Sequence, residues 1–484
     1  MSDLVSLERQ PSASSDAPPG PGPSVAGPRK KVFVQTFGCQ MNESDSDRMV
    51  ELLGRHAFER TAEADDADLI LVNTCAVRDK AEQKLLSQLG RYRAVKARRG
   101  AILAVAGCVA QAEKEAMLRK VPHVDFVFGP DNLARLPELY ARAVGRERFA
   151  ETGWLDAEAY LFPRAEADAV RGRATAFVTA MKGCDNVCAF CIVPHTRGRE
   201  VSRPFTEVVA ACAALAEVGV REVTLLGQNV NSYRGGCSFS GLLRRVAAVP
   251  GIERVRFTTS HPHDLSDELI EVFRDLPAVQ GHFHLPIQSG SDAVLGRMRR
   301  DYTVEAYLAR HDALVASRPD LAVTTDFIVG FPGETEEDFL ASLAVLERAR
   351  FETSFSFLFS PRPHTAAARR LGTAPEWAEV PREVAVDRLE RLQAVQRRIT
   401  GERHQAAVGT LVEVLCEGTS DDPERRYGRT GQNRLVHFAA DEAAAPRGAL
   451  LQVRVLQAAN QALAGELLGP AGLAGPTCQV GTVR

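Results

Sequence analysis

The sequence predicts an α/β protein with three folded parts, and three observations carry this prediction. Over residues 30–150, short continuous apolar segments alternate with helical ones, which is typical of a doubly wound parallel sheet. Over residues 170–405, six further strand–helix units favour a central partial (β/α)6 barrel over a closed eight-fold one. Over residues 407–470, short alternating runs predict a small all-β barrel.

In the N-terminal domain, each predicted strand is a continuous apolar run, as expected when a sheet is covered on both faces. The strands are predicted over residues 31–38, 67–74, 101–107 and 125–129, and the helices between them over 44–58, 79–98 and 110–121. A polar, irregular stretch is expected from there to about residue 172.

In the central barrel, helical patterns such as 206–219 and 336–350 lie between successive strands. The six strands are predicted over residues 174–181, 221–227, 254–260, 281–287, 321–330 and 353–360. An amphipathic helix over 381–404 leads to the β domain. Residues 1–29, rich in Pro, Ser, Gly and Ala, and residues 471–484 are expected to be tails outside these domains.

Composition excludes several classes of function. The 59 Lys and Arg residues are balanced by 62 Asp and Glu residues, so nucleic acid must be bound through local patches and not by bulk charge. No run approaches 18 apolar residues, so neither a transmembrane helix nor a membrane partner is expected. Ten cysteines without a signal peptide indicate a reducing, cytoplasmic compartment, where clustered cysteines are more often metal ligands than disulfides.

Three cysteines follow the first predicted barrel strand at C-x3-C-x2-C spacing, namely Cys184, Cys188 and Cys191. One short loop can bring these thiolates to one centre, and thiolates favour zinc or iron–sulfur clusters. Zinc sites usually have four ligands, and Pro194 stiffens the approach of the nearby His195. A zinc loop and three unrelated cysteines remain as alternatives. The position at the carboxyl end of a barrel strand favours a cluster with one open iron at an active site.

A second set of cysteines ends three predicted strands, at Cys39, Cys75 and Cys108. Because the carboxyl ends of neighbouring parallel strands converge on one crevice, these side chains are predicted to meet although they are distant in sequence. The alternative is three buried small hydrophobic residues, since free cysteine is commonly buried. Their shared strand-end placement favours a second iron–sulfur cluster. Gly38 and Gly107 either permit close backbone approach to it or simply end their strands.

The loop at 184–191 resembles that of the radical S-adenosylmethionine (SAM) superfamily. Residues 31–470 as a whole resemble the methylthiotransferases, and most closely their tRNA-modifying MiaB branch. The segments that carry this resemblance are GCQMNESDSDRM (38–49), NTCAVRDKAEQK (73–84), GCVAQ (107–111), CDNVCAFCIVPHTRGREVSRP (184–204), GQNVNSY (227–233), TSHPHD (259–264), LPIQSGSDAVLGRMRRDYT (285–303), TDFIVGFPGETEEDF (325–339) and YGRTGQNRLVHF (427–438). The GCQMN form is the most discriminating of these. At FSPRPHTAA (359–367), His364 and Ala366 depart from the family pattern.

The resemblance implies a fold, a reaction and a set of cofactors. The C-terminal barrel would be a TRAM-like domain, and the cofactors would be two [4Fe-4S] clusters and SAM. The reaction converts N6-isopentenyladenosine, just 3′ of the anticodon, to its 2-methylthio derivative. One SAM methylates a sulfur held on the N-terminal cluster, and a second yields the radical that attacks C2 of the adenine. Partners would be the tRNA and an electron donor such as a flavodoxin or ferredoxin, and the chain is expected to be a monomer.

Other residues have roles that rest mostly on this resemblance. Four residues at strand ends are predicted to bind SAM, namely Gln288, Ser289, Gly330 and Glu334. Five residues of the β domain form a locally basic group with an aromatic ring and are predicted to bind RNA, namely Arg425, Arg426, Tyr427, Arg429 and Arg434. Arg197 and Arg199 are expected to meet SAM carboxylate or tRNA phosphate, or to be solvated loop arginines. RYRAVKARR (91–99) is either a phosphate-binding patch or an exposed helix face.

Alternative functions remain open from the sequence. Within the same chemistry, the target is another tRNA adenosine or a ribosomal protein. From other classes, the chain is a non-catalytic iron–sulfur sensor that binds RNA, or a zinc-dependent RNA-binding protein. A non-catalytic sensor predicts no SAM cleavage by the reduced protein, and a zinc protein predicts a colourless preparation with stoichiometric zinc.

Overall fold

The structure, a computed structural model, describes residues 29–76, 79–156, 160, 162 and 170–471. The predicted tails therefore lie outside the described residues, apart from Arg29 and Ala471. No helix in the described ranges is both long and apolar enough to cross a membrane.

The N-terminal domain is a six-stranded parallel sheet with strand order β2-β1-β3-β4-β5-β6. Side chains alternate between two apolar cores, with Ile70 on one face and Leu71 on the other, which explains the continuous apolar strands. The predicted doubly wound sheet is confirmed. Its elements are β1 (Lys30–Phe37), α1 (Gln40–Gly54), β2 (Phe58–Arg60), β3 (Leu69–Thr74), α2 (Asp79–Arg99), β4 (Ile102–Ala106), α3 (Cys108–Glu113), α4 (Glu115–Lys120), β5 (Phe126–Phe128), α5 (Leu136–Val144) and β6 (Phe149–Glu151).

Three details of this domain differ from the sequence prediction. Helix α1 starts at Gln40, before the predicted residue 44, because the extended backbone of Cys39 at its N-cap lets the polar QMNE segment enter the helix. The predicted helix 110–121 is split into α3 and α4 at Lys114, whose φ is +52°. The stretch expected to be irregular contains α5 and β6, and such a short edge strand leaves little periodic signal.

The central domain is a partial barrel made of two three-stranded parallel sheets, β11-β10-β7 and β12-β13-β14. An isolated bridge joins Val255 of β11 to Val279, just before β12, so the two sheets lie side by side and the predicted six-stranded architecture is confirmed. The elements are β7 (Thr175–Thr179), β8 (Met181–Lys182), α6 (Val193–Thr196), β9 (Val201–Ser202), α7 (Phe205–Glu217), β10 (Glu222–Leu226), α8 (Phe239–Ala247), β11 (Arg254–Phe257), α9 (Asp267–Asp275), β12 (His282–His284), α10 (Asp292–Met298), α11 (Val304–Ser317), β13 (Ala322–Val329), α12 (Glu336–Ala349), β14 (Thr353–Leu358), α13 (Ala366–Arg370) and α14 (Arg382–Gln405).

The C-terminal domain is the predicted small barrel, closed in the order β15-β16-β17-β19-β18 around a core that includes Val414, Val436 and Phe438. Its strands are β15 (Leu411–Thr419), β16 (Arg425–Thr430), β17 (Leu435–Ala439), β18 (Leu450–Ala458) and β19 (Leu463–Pro470).

The C-terminal barrel docks at the amino ends of the central strands. There the buried Arg254 donates to the carbonyl oxygen of Arg429 at 2.8 Å, and Arg256 donates to that of Thr430 at 2.7 Å. The carboxyl ends of the central strands lie on the opposite side of the barrel and face the N-terminal domain.

Candidate active site between the N-terminal domain and the barrel

The structure brings the strand-end cysteines of the N-terminal sheet together. Cys39 follows β1 and precedes α1, Cys75 follows β3, and Cys108 opens α3 after β4. Cys75 and Cys108 are buried, and Cys39 is partly exposed. A hydrogen bond with Cys75 is the main influence that lowers the pKa of Cys39 to about 6, and the charge of Arg197 and the amides of Asn42 and Met41 add to it. A helix N-terminus favours thiolate in this way.

Two glycines make this convergence possible, both at positive φ. At Gly38, with φ +135°, an added Cβ would stand 2.5 Å from the Cβ of Cys75. At Gly107, with φ +88°, it would stand 2.3 Å from Oδ1 of Asn73. Asn73 is itself buried, and its amide donates to the carbonyl oxygen of Asn42 at 2.8 Å. Each glycine thus allows a close packing contact that a side chain would block, at Cys75 for Gly38 and at Asn73 for Gly107.

The barrel cysteines lie in the loop between β8 and α6. The amide of Cys184 donates to the carbonyl oxygen of Gly198 at 3.2 Å, and that of Cys191 to Cys188 at 3.1 Å, which folds the loop on itself. Burial raises the pKa of Cys184 to about 11 and that of Cys191 to about 12, and the neighbouring thiols add to both shifts. The guanidinium of Arg300 donates to the Cys188 sulfur at 3.4 Å.

Arg197 does not follow its sequence prediction, because it points neither to solvent nor into the barrel. It ends α6, six residues after Cys191, and its buried guanidinium reaches the N-terminal domain. There Nε donates to the sulfur of Cys108 at 3.2 Å, and Nη2 forms a 2.7 Å ion pair with Asp45 on α1. The neighbouring Arg199 behaves as a surface residue, with 86% of its side chain exposed and a salt bridge to Asp185.

All three domains line one cavity of about 890 Å³. Its roof is Cys39 and one face of α1, and its upper wall is the loop of Cys184, Cys188 and Cys191. From there it follows the interior of the partial barrel down to Arg429 of the C-terminal barrel. Cys39 of one triplet and all three cysteines of the other therefore line the same cavity, at the carboxyl ends of the central strands where this fold places active sites.

The predicted SAM residues occupy two different positions. Gln288, at φ +77°, lines the cavity and pairs with β13 through a bridge to Phe327. Ser289, Gly330 and Glu334 lie behind the cavity wall. Glu334 accepts the Gly330 amide at 2.7 Å and a guanidinium N–H of Arg388 at 3.0 Å, and burial raises its pKa to about 7.

The five residues predicted to bind RNA are divided by the fold. Arg425 is exposed, Tyr427 is half-buried, and Arg429 lines the lower end of the cavity. Arg426 is buried and donates to Thr419 and Glu442. Arg434 forms two hydrogen bonds with Glu352 of the central domain, at 2.6 and 2.9 Å.

The basic segment over residues 91–99 lies on α2, and its charges are in part neutralised. Lys96 pairs with Asp125, Arg98 with Asp65, and Arg99 with Asp66. Arg91 and Arg93 are exposed. The helix thus presents a smaller positive surface than its sequence indicates.

The cavity also contains two arginines that no sequence pattern indicated. Arg300 and Arg256 line it, although their local sequences resemble ordinary surface charge. Ser260 and His261, which follow the third strand of the barrel and are expected from the sequence on its active face, line it as well, and burial is the main influence that lowers the pKa of His261 to about 3. Thr259, close after the end of β11, has a positive φ, and backbone strain of this kind is often found at functional sites. A single sequence gives no sign of such strain.

The donor set fits iron–sulfur clusters. The two triplets supply six thiols, the ligands that such clusters use, and within each triplet the thiols are close enough to influence one another's pKa. Among the described residues, no group of three His, Cys, Asp or Glu side chains is placed closely enough to hold a single metal ion. A cluster is wider than a single ion, so its ligands stand further apart.

Comparisons with known proteins identify the family to which this chain belongs. Residues 31–129 match "Uncharacterized protein family UPF0004", and residues 178–346 match the Radical SAM superfamily. A tRNA-2-methylthio-N(6)-dimethylallyladenosine synthase of Anaeromyxobacter dehalogenans is 72% identical over 96% of this chain and 100% of its own length. The enzyme of that name from Myxococcus xanthus is 58% identical over 90% and 94%. The chain belongs to the tRNA-2-methylthio-N(6)-dimethylallyladenosine synthase family.

Membership of the tRNA-2-methylthio-N(6)-dimethylallyladenosine synthase family makes this chain a radical SAM methylthiotransferase that uses SAM and iron–sulfur chemistry. The predicted family, enzyme class and fold are confirmed. Among solved structures, the radical SAM methyltransferase TsrM from Kitasatospora setae aligns with a TM-score of 0.53. It shares 14% sequence identity, and the alignment covers 71% of this chain and 76% of TsrM. At that identity the likeness shows the fold alone.

Proposed function

We propose that this chain converts N6-isopentenyladenosine, 3′ of the anticodon in tRNA, to 2-methylthio-N6-isopentenyladenosine. One observation carries the proposal. Cys39 of one triplet and the three cysteines of the other line a single cavity, so a base held there is within reach of both sites. The name of relatives that are 72% and 58% identical supports the same substrate.

The two triplets take different roles in this proposal. The cluster that cleaves SAM is held by Cys184, Cys188 and Cys191. A second [4Fe-4S] cluster, which carries the sulfur, is held by Cys39, Cys75 and Cys108. When bound, these clusters and SAM supply a radical and a methylated sulfur, and amino-acid side chains alone provide neither of these reactive groups. The chain fixes the geometry: Gly38 and Gly107 permit the approach of the thiols, and α1 closes the cavity from above.

Binding of SAM is assigned to the strand ends around Gln288. Its side chain lines the cavity next to the barrel cluster loop. Ser289, Gly330 and Glu334 support this wall from behind, since the Glu334 carboxylate joins the Gly330 turn to Arg388 on α14. Coverage of the cavity by α1 helps to shield a radical formed there from side reactions.

Contact with tRNA is assigned to the exposed part of the C-terminal barrel. Arg425 offers a charge to phosphate, Tyr427 offers a ring for stacking, and Arg429 lies at the cavity. Arg426 and Arg434 support this surface through their bonds to Glu442 and Glu352. The proposal includes a flavodoxin or ferredoxin as electron donor, a monomeric chain and a cytoplasmic location.

The test is anaerobic reconstitution followed by nucleoside analysis. Two clusters require about eight irons per chain, and C39A/C75A/C108A should retain about four together with SAM cleavage. In a deletion strain, wild-type chain should restore the methylthio nucleoside to tRNA, and either triple cysteine variant should not. About four irons in the wild type would contradict the two-cluster count. A methylthio group on a ribosomal protein instead of tRNA would contradict the substrate.

A further inference from the structure

We infer that Arg197 is a positioning residue that couples the two cysteine triplets, and that it sets the charge around the N-terminal one. The inference rests on the proposed function, because it needs a cluster on Cys39, Cys75 and Cys108. It goes further in assigning a role to a residue that belongs in sequence to the other site.

The first argument is connectivity. Arg197 stands six residues after Cys191, at the end of the four-residue helix α6. The segment that carries the barrel thiols therefore also delivers a guanidinium to Cys108, at 3.2 Å. Any displacement of the cluster loop moves this group as well, so the two sites are joined by one short, helical piece of chain.

The second argument is burial. The Arg197 and Asp45 side chains are 4% and 3% exposed, and they form a 2.7 Å ion pair across the domain boundary. Asp45 also accepts a hydrogen bond from Arg48 at 3.1 Å. Charges buried to this degree are retained only when they are paired and held in place. The guanidinium is thus fixed beside the thiol, whereas Arg199, two residues further on, is almost fully exposed.

The third argument is electrostatic. A positive charge beside a cluster ligand stabilises the reduced cluster, which carries one more negative charge, and so raises its reduction potential. Asp45 opposes this effect because it is the partner of the same guanidinium. Removal of Arg197 should therefore lower the potential of the N-terminal cluster, and removal of the Asp45 charge should raise it.

The experiment isolates the N-terminal cluster in a C184A/C188A/C191A background, which removes the barrel ligands. Iron content and the midpoint potential, followed by EPR during a dye-mediated titration, are measured for R197Q, R197K, D45N and R197Q/D45N. R197Q should shift the midpoint to more negative values and D45N to more positive values. The double variant should shift less than R197Q, and R197K should stay nearer the parent. R135Q, which removes a surface salt bridge to Glu138 in the same domain, is the control.

The possible outcomes test this inference separately from the proposed function on which it rests. If the background variant binds no iron, the two-cluster proposal fails, and this inference fails with it. If it binds about four irons per chain while R197Q and D45N leave the midpoint unchanged or move it in the same direction, the inference alone is overturned. If R197Q does not fold, D45N decides, because a purely structural role does not predict a shift of the midpoint to more positive values.

Discussion

Glu352, in the turn before β14, accepts two hydrogen bonds from the guanidinium of Arg434 on the C-terminal barrel, at 2.6 and 2.9 Å. It also accepts one from Arg403 of α14 at 2.7 Å, and its side chain is only 4% exposed. One buried carboxylate therefore holds the C-terminal barrel and the linking helix to the central domain.

The first prediction concerns this joint. E352Q should lower the free energy of unfolding by about 3 kcal/mol, the lower end for a buried ion pair, because it leaves two partly exposed guanidinium groups without their buried counter-charge. Thermal or denaturant unfolding measures the loss, and limited proteolysis should release the C-terminal barrel first. E347Q is the matched control, since its salt bridge to Arg398 is exposed and should contribute no more than about 1 kcal/mol. Equal effects of the two variants would contradict the proposed role of Glu352.

The second prediction concerns pH and Glu334, whose pKa is raised to about 7 by burial. Between pH 4.5 and 7 the folded chain holds a proton at this site that the unfolded chain has lost, so its contribution to stability falls as pH rises through this window. The difference in unfolding free energy between wild type and E334Q should therefore change across these pH values, in favour of the variant at the upper end. Parallel pH profiles for the two proteins would rule out the raised pKa.

The third prediction concerns Gly38. In G38A the new Cβ would meet the Cβ of Cys75 at 2.5 Å, on a backbone at φ +135° that alanine rarely adopts. Iron bound after reconstitution should fall from about eight to about four per chain, with SAM cleavage retained. G90A on α2, where an added Cβ meets nothing within 4 Å, should keep the full iron content. Full loading of G38A would show that the N-terminal thiols tolerate displacement.

The fourth prediction concerns the tRNA surface. Y427A should raise the apparent KM for tRNA, because stacking of a base on an aromatic ring is worth about 1–3 kcal/mol. SAM cleavage without tRNA should be unchanged, since Tyr427 is not among the residues that line the cavity. Y427F, which keeps the ring, should behave as wild type. A loss in Y427F equal to that in Y427A would point to the hydroxyl group and against stacking.

The fold and the cysteine triplets could be predicted because they follow from strong local rules. Continuous apolar strands identify a doubly covered parallel sheet, and strand ends in such a sheet meet at one edge, which brings Cys39, Cys75 and Cys108 together. The same logic places Gln288 at the cavity. These features depend on periodicity and order along the chain, and both can be read from a single sequence.

The roles of the arginines could not be predicted, because long-range pairing decides them. Arg434 looks like a free basic residue until the fold brings Glu352, 82 residues away, to its guanidinium. Arg197 looks like part of the barrel site until α6 turns it toward Asp45 and Cys108. Arg426 is buried within the C-terminal barrel itself, where it pairs with Glu442. No local pattern distinguishes a solvated arginine from one whose partner belongs to another domain.

The attachment of the C-terminal barrel has a consequence for which substitutions the joint tolerates. Arg254 and Arg256 bind it mostly through main-chain carbonyl oxygens, those of Glu413, Arg429, Thr430 and Gly431. A carbonyl oxygen is present whatever the side chain is, so mutations on that side of the joint leave most of its hydrogen bonds intact. Loss of either arginine would remove two or more of these hydrogen bonds at once, whereas a change in a side chain on the barrel's side of the joint would remove few of them.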